Sequence, residues 1–212
     1  MNKIFISGID TDAGKTYATA WLARKFMDEG KSVITQKFIQ TGNTDESEDI
    51  VAHRRLMGIE MLPEDNEKVT APIIFTYPAS AQLAARIDGK EIDVNLIDRS
   101  TKILTDRYDV VLIEGAGGLM VPLADDFFTI DYVSSRKLPV ALVTNGKLGS
   151  INHTILSLEA LAARNIDVPY VLYSQHLDND KIISEDTQGF IKRYLAKHYP
   201  ETELLFVPVY NK

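Results

Sequence analysis

Short apolar runs alternate along the chain with longer segments in which apolar residues recur every three or four positions. The short runs have the near-continuous apolar character of strands that are buried on both faces. Strands are predicted at residues 3–7, 32–38, 109–114, 138–144, 168–173 and 203–207, and helices at residues 14–30, 46–57, 80–89, 94–108, 151–164 and 181–198. This alternation predicts an α/β fold with a mostly parallel central sheet and helices on both faces. We expect residues 1–212 to form a single domain.

The first strand runs into a glycine-containing loop, and a helical pattern follows at once. Gly14, Lys15 and Thr16 close this loop, and five residues separate Gly8 from Gly14, where the standard phosphate-binding loop has four. Glycines let backbone N–H groups turn toward phosphate oxygens, and a helix N-terminus adds the positive end of its dipole. Lys15 can reach the β- and γ-phosphates, and Thr16 can hold Mg²⁺. The pattern predicts a P-loop NTPase, with an ordinary βα turn and a surface lysine as the alternative.

Composition narrows the class of protein. The 212 residues are 45% hydrophobic and 25% charged, as in a globular chain. The absence of Cys excludes disulfides, thiolate zinc sites and thiol nucleophiles, and we expect a cytoplasmic protein. A net charge of −7 without a basic block argues against nucleic-acid binding. We expect neither a signal peptide nor a membrane-spanning helix, because no apolar run reaches spanning length.

Two further lysines follow predicted strands, at the sheet edge where α/β proteins bind ligands. Lys37 ends the second strand and precedes a polar loop at residues 40–45, and Lys147 lies in the loop at residues 145–150. We expect both lysines to project toward the γ-phosphate, although Lys147 could equally be a surface residue. The segment 71–78 is too rich in proline for a central strand, and Ser80 is predicted to cap the helix that follows it.

Three other polar residues are candidates for the site. Glu114 ends the buried strand 109–114, where a P-loop enzyme places a magnesium-binding carboxylate, although it could instead cap the glycine loop that follows. Asp49 and His53 are four residues apart on a predicted helix, so they share one face. We expect Asp49 to reach Mg²⁺ or its waters. We expect His53 to lie on a solvated face rather than to form a metal pair with Asp49.

Several segments, in order over about residues 3–165, together resemble the dethiobiotin synthetase family. Residues 8–16 are similar to its phosphate loop, including the extra residue, and residues 37–42 to its Lys-Pro-x-x-Thr-Gly segment. The other matches are residues 78–80 to its Pro-x-Ser turn, residues 114–118 with 122–123 to its Glu-Gly-Ala-Gly-Gly stretch, and residues 147–153 to its Lys-Leu-Gly-x-Ile-Asn-His motif. The set is far more specific than the phosphate loop alone.

The resemblance implies an ATP-dependent ring closure, in which 7,8-diaminononanoate, CO₂ and MgATP give dethiobiotin, ADP and phosphate in biotin biosynthesis. One amine of the substrate captures CO₂ as a carbamate, and a carbamate oxygen attacks the γ-phosphorus. The second amine then closes on the mixed anhydride and expels phosphate. Lys37 is implied to hold the carbamate, and Thr11 and Thr41 to orient it by hydrogen bonds.

The resemblance also assigns roles to individual residues. Catalysis is assigned to Lys37, Lys15 and Thr11, and Mg²⁺ binding to Thr16, Asp49 and Glu114. Nucleotide contacts are implied for Asp12, Ala13, Gly14, Lys15, Thr16, Tyr17, Ser174, Gln175 and Pro208. Substrate contacts are implied for Thr11, Lys37, Thr41, Pro78, Ser80, Lys147, Leu148, Gly149, Ser150, Ile151 and Asn152. Because the loop at residues 147–152 is implied to reach the substrate of the neighbouring subunit, the resemblance implies a homodimer with its sites at the interface.

The chain departs from the family pattern at two positions, and two other functions are compatible with its phosphate loop. Phe38 replaces the usual proline, and Ser174 replaces an asparagine that reads the adenine edge, which leaves selectivity for the base open because a hydroxyl cannot offer the paired donor and acceptor of an amide. An alternative of the same fold is an amide-forming synthetase of the cobyrinate diamide type. Another is a partition-type regulatory ATPase, which usually carries a second lysine early in its phosphate loop, where this chain has none.

Overall fold

The computed structural model describes residues 2–210. The strands are β1 (Lys3–Gly8), β2 (Val33–Lys37), β3 (Gln40–Thr41), β4 (Ile74–Phe75), β5 (Val110–Gly118), β6 (Pro122–Ala124), β7 (Phe127–Phe128), β8 (Val140–Asn145), β9 (Tyr170–Ser174) and β10 (Glu203–Val207). The helices are α1 (Lys15–Asp28), α2 (Glu48–Met57), α3 (Pro63–Asn66), α4 (Ala81–Ile87), α5 (Val94–Thr105), α6 (Thr129–Ser135), α7 (Ser150–Ala162) and α8 (Lys181–His198). A short 3₁₀ turn spans Gln175–Leu177.

A six-stranded sheet with the order β10-β9-β8-β1-β5-β2 forms the centre of the fold, and all its neighbouring strands are parallel. The side chains of each strand alternate between two apolar layers. Ile4 and Ile6 of β1 pack in the same layer as Leu22 of α1, whereas Phe5 packs in the layer that contains Ile97 of α5 and Leu158 of α7. The predicted α/β fold, with a parallel sheet and helices on both faces, is therefore confirmed.

The register of the strands in this sheet determines which polar residues are neighbours. Lys37 at the end of β2 is the register partner of Glu114 in β5, and Ile6 of β1 pairs with the same glutamate from the other side. Both strands run in one direction, so their carboxyl ends lie next to the loop that follows β1. The phosphate-binding loop, the second lysine and the acidic residue are thereby brought to one edge of the sheet.

Some local predictions differ from the structure. The loop predicted at residues 40–45 begins with β3, which pairs in parallel with β4 in a two-stranded sheet outside the central one. Helix α2 begins at Glu48 rather than at residue 46, because the side chain of Ser47 accepts a hydrogen bond from the backbone N–H of Ile50 (3.2 Å). Ser80 occupies the cap position of α4 as predicted, but its side chain makes no capping hydrogen bond.

Helix α5 ends at Thr105, short of the predicted residue 108. Two helices, α3 and α6, and the antiparallel β6–β7 pair were not predicted, since each is too short to show a hydrophobic period. Among residues 2–210, no helix combines the length and the apolar character needed to cross a membrane.

Candidate active site

The loop at residues 8–16 is closely packed, and two of its glycines are required by that packing. A Cβ on Gly8 would lie 2.7 Å from the carbonyl oxygen of Asp10 and 3.1 Å from Nζ of Lys15. Gly14 has a φ of 95° at the N-cap of α1, and a Cβ there would lie 2.6 Å from Oγ of Ser174. Any residue with a side chain would force the loop apart at these two positions. Glycine therefore allows the backbone to stay close around the helix N-terminus.

Lys15 bends back over this loop. Its Nζ donates hydrogen bonds to the carbonyl oxygens of Asp10 (3.0 Å) and Thr11 (2.7 Å), and the side chain is buried. Burial lowers the pKa of Lys15 to about 8, with Glu114 opposing the shift and Lys37 adding to it. Lys15 is therefore held above the loop, and nearby carboxylates do not fully offset the cost of burying its positive charge.

Lys37 joins two carboxylates from different elements. Its Nζ lies 2.6 Å from Oδ2 of Asp49 and 2.9 Å from Oε1 of Glu114. The hydroxyl of Thr16 lies 2.8 Å from Oδ1 of the same aspartate and 3.3 Å from Oε1 of the glutamate. Four of the sequence-predicted site residues thus form one cluster, to which the phosphate loop, β2, α2 and β5 each contribute.

Both charges at the centre of this cluster are retained at neutral pH. Burial raises the pKa of Glu114, but the Lys37 ammonium and the hydrogen bonds from Lys37 and His53 outweigh it and hold the pKa well below its usual value. Burial lowers the pKa of Lys37, and here Glu114 and Asp49 outweigh it, so the net shift is upward. The pair is therefore ionic, although almost no water reaches either side chain.

The same cluster fits a hard divalent cation. Within residues 2–210, no three His, Cys, Asp or Glu side chains are grouped to hold a metal ion. The cluster instead offers the carboxylates of Asp49 and Glu114 and the Thr16 hydroxyl. Mg²⁺ is commonly bound through one or two carboxylates, with phosphate oxygens and waters completing its shell. A donor set that consists only of oxygen suits this ion better than a transition metal.

His53 was predicted to be solvated, and this prediction is wrong. Its side chain is fully buried (0% exposed), with Nε2 lying 2.7 Å from Oε2 of Glu114 and Nδ1 lying 3.1 Å from Oγ1 of Thr35. Helix α2 packs against β2, and the face that carries Asp49 and His53 is turned toward the site. The sequence did contain one signal for this arrangement. Thr35 is a polar residue within a buried strand, so it needs a polar partner, and His53 is one such partner.

A cavity of about 400 Å³ opens above the cluster. Its lining includes Thr11, Asp12, Gly14, Lys15, Thr16, Tyr17, Lys37, Thr41, Asp49, Glu114 and His176. The rings of Tyr17 and His176 are stacked, with centroids 4.6 Å apart and an interplanar angle of 19°. This aromatic pair offers an apolar face on one side of the cavity. Tyr17 was predicted to contact the nucleotide, whereas His176 was not predicted to be part of the site.

Ser174 and Gln175, which were predicted to contact the nucleotide, do not line this cavity. Ser174 is fully buried against Gly14, and its Oγ has no hydrogen-bond partner among the described residues. Ala13 is also fully buried. Pro208 lines a separate groove beside α1, together with Trp21 and Tyr210.

The loop after β8 lies next to the main cavity rather than inside it. Lys147, Leu148 and Ser150 line a smaller cavity of about 170 Å³, together with residues 9–12 of the phosphate loop. Lys147 and Lys37 line different cavities, which share Thr11 and Asp12, so the expectation that both project toward the γ-phosphate stays a prediction. Gly149 caps α7 with a φ of 95°, and Asn152 on its first turn is exposed, whereas Ile151 is half-buried.

Two further predicted substrate residues lie on the other side of the main cavity. Thr41 lines the cavity, and Gly42 after it packs against Pro78, where a Cβ on the glycine would lie 3.1 Å from Cβ of the proline. This contact brings the turn that contains Ser80 close to the end of β3. Neither Pro78 nor Ser80 lines the cavity itself.

Comparison with known proteins identifies the family. A family model described as an AAA domain matches residues 2–205. The chain is 49% identical over 198 residues to the ATP-dependent dethiobiotin synthetase BioD 2 of Pasteurella multocida, covering 93% of each chain. This chain belongs to the dethiobiotin synthetase family. Identity is 46% to the ATP-dependent dethiobiotin synthetase BioD 2 of Haemophilus ducreyi, over 95% of this chain and 96% of the relative.

A dethiobiotin synthetase from Chlorobaculum tepidum extends the comparison, with 47% identity over 91% of this chain and 81% of the relative. Among solved structures, the signal recognition particle receptor FtsY from Elizabethkingia anophelis in complex with GDP superimposes with a TM-score of 0.55 at 15% identity. That match covers 98% of this chain and 57% of the FtsY chain. It concerns the fold alone, and it agrees with the parallel α/β architecture described above.

Proposed function

We propose that this protein catalyses the ATP-dependent formation of dethiobiotin from 7,8-diaminononanoate and CO₂, with ADP and phosphate as the other products. The observation that carries the proposal is the meeting of Lys15, Lys37, Asp49 and Glu114 around one cavity at the carboxyl ends of the strands. Relatives of nearly the same length, at 46–49% identity, carry the name of this activity. Such a cavity can hold a triphosphate beside a second anionic group.

The reaction needs positioning and charge stabilisation more than covalent help from the protein. In the proposed sequence, one substrate amine captures CO₂ as a carbamate and a carbamate oxygen attacks the γ-phosphorus, releasing ADP. The second amine then attacks the carbonyl carbon of the mixed anhydride, closes the ring and expels phosphate. Lys15 and Lys37 would stabilise the charge that develops on the transferred phosphoryl group, and Lys37 would also bind the carbamate. Thr11 and Thr41 would orient the carbamate through hydrogen bonds.

We infer that Mg²⁺ is required and that Thr16, Asp49 and Glu114 bind it. The support is the oxygen-only cluster described above, in which the Thr16 hydroxyl lies within 3.3 Å of both carboxylates. A magnesium ion held by these three residues would supply positive charge that balances the charge on the phosphates.

We also propose a homodimer whose sites lie at the interface. Leu148 is 88% exposed and Leu156 of α7 is 60% exposed, and a partner subunit that covered both would remove their apolar surface from water. Leu148 lies in the loop at residues 147–152, which the family resemblance implies reaches the substrate of the neighbouring subunit, and Leu156 lies further along α7. We further propose that the protein acts in the cytoplasm, which a chain of 212 residues without Cys supports. The single domain expected for residues 1–212 stays a prediction.

The decisive experiment follows phosphate release from MgATP while each co-substrate is omitted in turn. We expect turnover to require both 7,8-diaminononanoate and bicarbonate, and mass spectrometry to detect dethiobiotin in equal amount to phosphate. Equal phosphate release without the diamine would instead support a regulatory ATPase. Release that requires a carboxylate substrate with ammonia or glutamine would support an amide-forming synthetase. Repeating the assay with CTP and GTP measures the selectivity for the nucleotide base in a chain that has Ser174 where the family has asparagine.

A further inference from the structure

A buried histidine stands directly behind the acidic residue of the site. His53 is 0% exposed, and its Nε2 lies 2.7 Å from Oε2 of Glu114. The other carboxylate oxygen, Oε1, faces the cavity, where it contacts Lys37 (2.9 Å) and Thr16 (3.3 Å). The two oxygens of one carboxylate are therefore divided between the protein interior and the cavity.

The hydrogen-bond pattern around the ring fixes its role. Thr35 Oγ1 accepts a hydrogen bond from Nη1 of Arg54 (2.8 Å) and lies 3.1 Å from Nδ1 of His53. Because Thr35 Oγ1 already accepts from Arg54, its hydroxyl is free to donate to Nδ1 of His53, and Nε2–H then donates to Glu114, so that both ring nitrogens have a partner. A chain of donors thus runs from Arg54 through Thr35 and His53 to the carboxylate.

The far end of this chain is anchored firmly. Arg54 is buried and binds Asp65 through two parallel hydrogen bonds, from Nε (2.8 Å) and from Nη2 (2.7 Å). Asp65 also accepts hydrogen bonds from the hydroxyl of Thr70 and from the backbone N–H of Leu62, both at 2.7 Å. Because each member is held by the next, the imidazole has little freedom to turn away from the carboxylate.

We propose that His53 is a positioning residue that ties Oε2 of Glu114 into the protein, so that Oε1 alone is presented to the metal and the nucleotide phosphates. The inference rests on the proposed magnesium site. Partners of this kind, which orient a ligand without touching the metal, change metal affinity by about 10- to 100-fold when they are removed. His53 therefore sets the affinity for the metal-nucleotide complex while contacting neither component.

Two polar replacements separate the roles of the two ring nitrogens. The amide nitrogen of Gln can take the place of Nε2, whereas that of Asn takes the place of Nδ1 and falls short of Glu114. The experiment measures Mn²⁺ binding in the presence of ADP by electron paramagnetic resonance, and ADP affinity with and without metal by calorimetry. For His53→Asn we expect Mn²⁺ affinity to fall about 10- to 100-fold. For His53→Gln we expect affinity within a few-fold of wild type, and metal-free ADP binding unchanged in both variants.

A matched control lies just before the same two strands, at the end of the sheet opposite to the site. Ser32, just before β2, donates a hydrogen bond through Oγ to Asp109, just before β5 (2.7 Å). Ser32→Ala should lower stability without changing Mn²⁺ affinity, which separates loss of stability from loss of orientation. Wild-type affinity in His53→Asn, or equal losses in the Asn and Gln variants, would overturn the inference. A wild-type protein whose ADP binding ignores metal would overturn the magnesium site, and this inference with it.

Discussion

Replacing Lys37 with alanine tests the centre of the site, because this side chain carries a structural charge and is also placed to act in the reaction. It is nearly buried and pairs with Glu114, which is 1% exposed, and with Asp49, which is 25% exposed. Removing one member of a buried ion pair costs about 3–5 kcal/mol, because the remaining charge is left without a partner. Asp49 is partly screened by water, so we expect about 3 kcal/mol, or a fall of about 6–12 °C in the melting temperature.

The same change should remove activity. Loss of one preorganised donor from a transition state costs about 10²–10³ in rate, and Lys37 is proposed to bind the carbamate as well. We therefore expect turnover to fall at least about 10³-fold. The nucleotide should still bind, because Lys15 and the loop at residues 8–16 are unchanged.

The assay combines phosphate release, calorimetric binding of ADP and thermal unfolding with and without Mg²⁺ and ADP. The loss of stability should shrink when both are present, since a cation then faces the two carboxylates again. Lys31→Ala is the matched control, because Lys31 lies near the other end of β2 and its ammonium makes surface contacts with Glu29 (3.3 Å) and with the ring of Phe26 (4.7 Å to the centroid), away from the site. Turnover of Lys37→Ala within tenfold of wild type would refute the role given to this lysine, whatever its effect on stability.

Two other predictions concern the first lysine and the proposed interface. In the free protein Lys15 has a pKa of about 8, and phosphate favours its charged form, so nucleotide binding above pH 8 must take up a proton. ADP affinity should be flat below about pH 7 and should fall by up to about tenfold per pH unit above pH 8; calorimetry in buffers of different ionisation enthalpy measures the uptake, and an affinity unchanged up to pH 9 would contradict it. Leu148→Asp should weaken a homodimer at this surface, because its exposed apolar side chain would become charged. Sedimentation velocity checks this, and a dimer of unchanged stability would place the interface elsewhere.

The part of the site that lies on regular strands could be predicted from the sequence. The apolar runs that end at Lys37 and Glu114 show that both residues follow buried strands, and parallel packing then brings the two strand ends to one edge. The loop with Gly14 and Lys15 is predicted to bind phosphate because it lies between an apolar strand and a helix. These features depend on local patterns, which a single sequence displays directly.

The part that depends on packing between distant elements could not be predicted in this way. Four-residue spacing places His53 on the same face of α2 as Asp49, but spacing does not reveal whether that face meets water or the sheet. The side chain of Ser174 packs beneath Gly14, a contact between residues 160 positions apart. The two-residue strands β3 and β4 are formed by a pairing that no period in such short segments can show.

The charge balance of the cluster explains why its parts are expected to act together. Lys37 holds Asp49 and Glu114 at 2.6 and 2.9 Å, so in the free protein this ammonium already occupies the place where the two carboxylates converge. A divalent cation that arrives alone would compete with it and leave a buried lysine without a partner, which is costly. Nucleotide phosphates offer that lysine new partners and leave the carboxylates free for a metal. Metal and nucleotide should therefore each raise the affinity for the other, because the second lysine can be compensated by only one of the two sets of anions at a time.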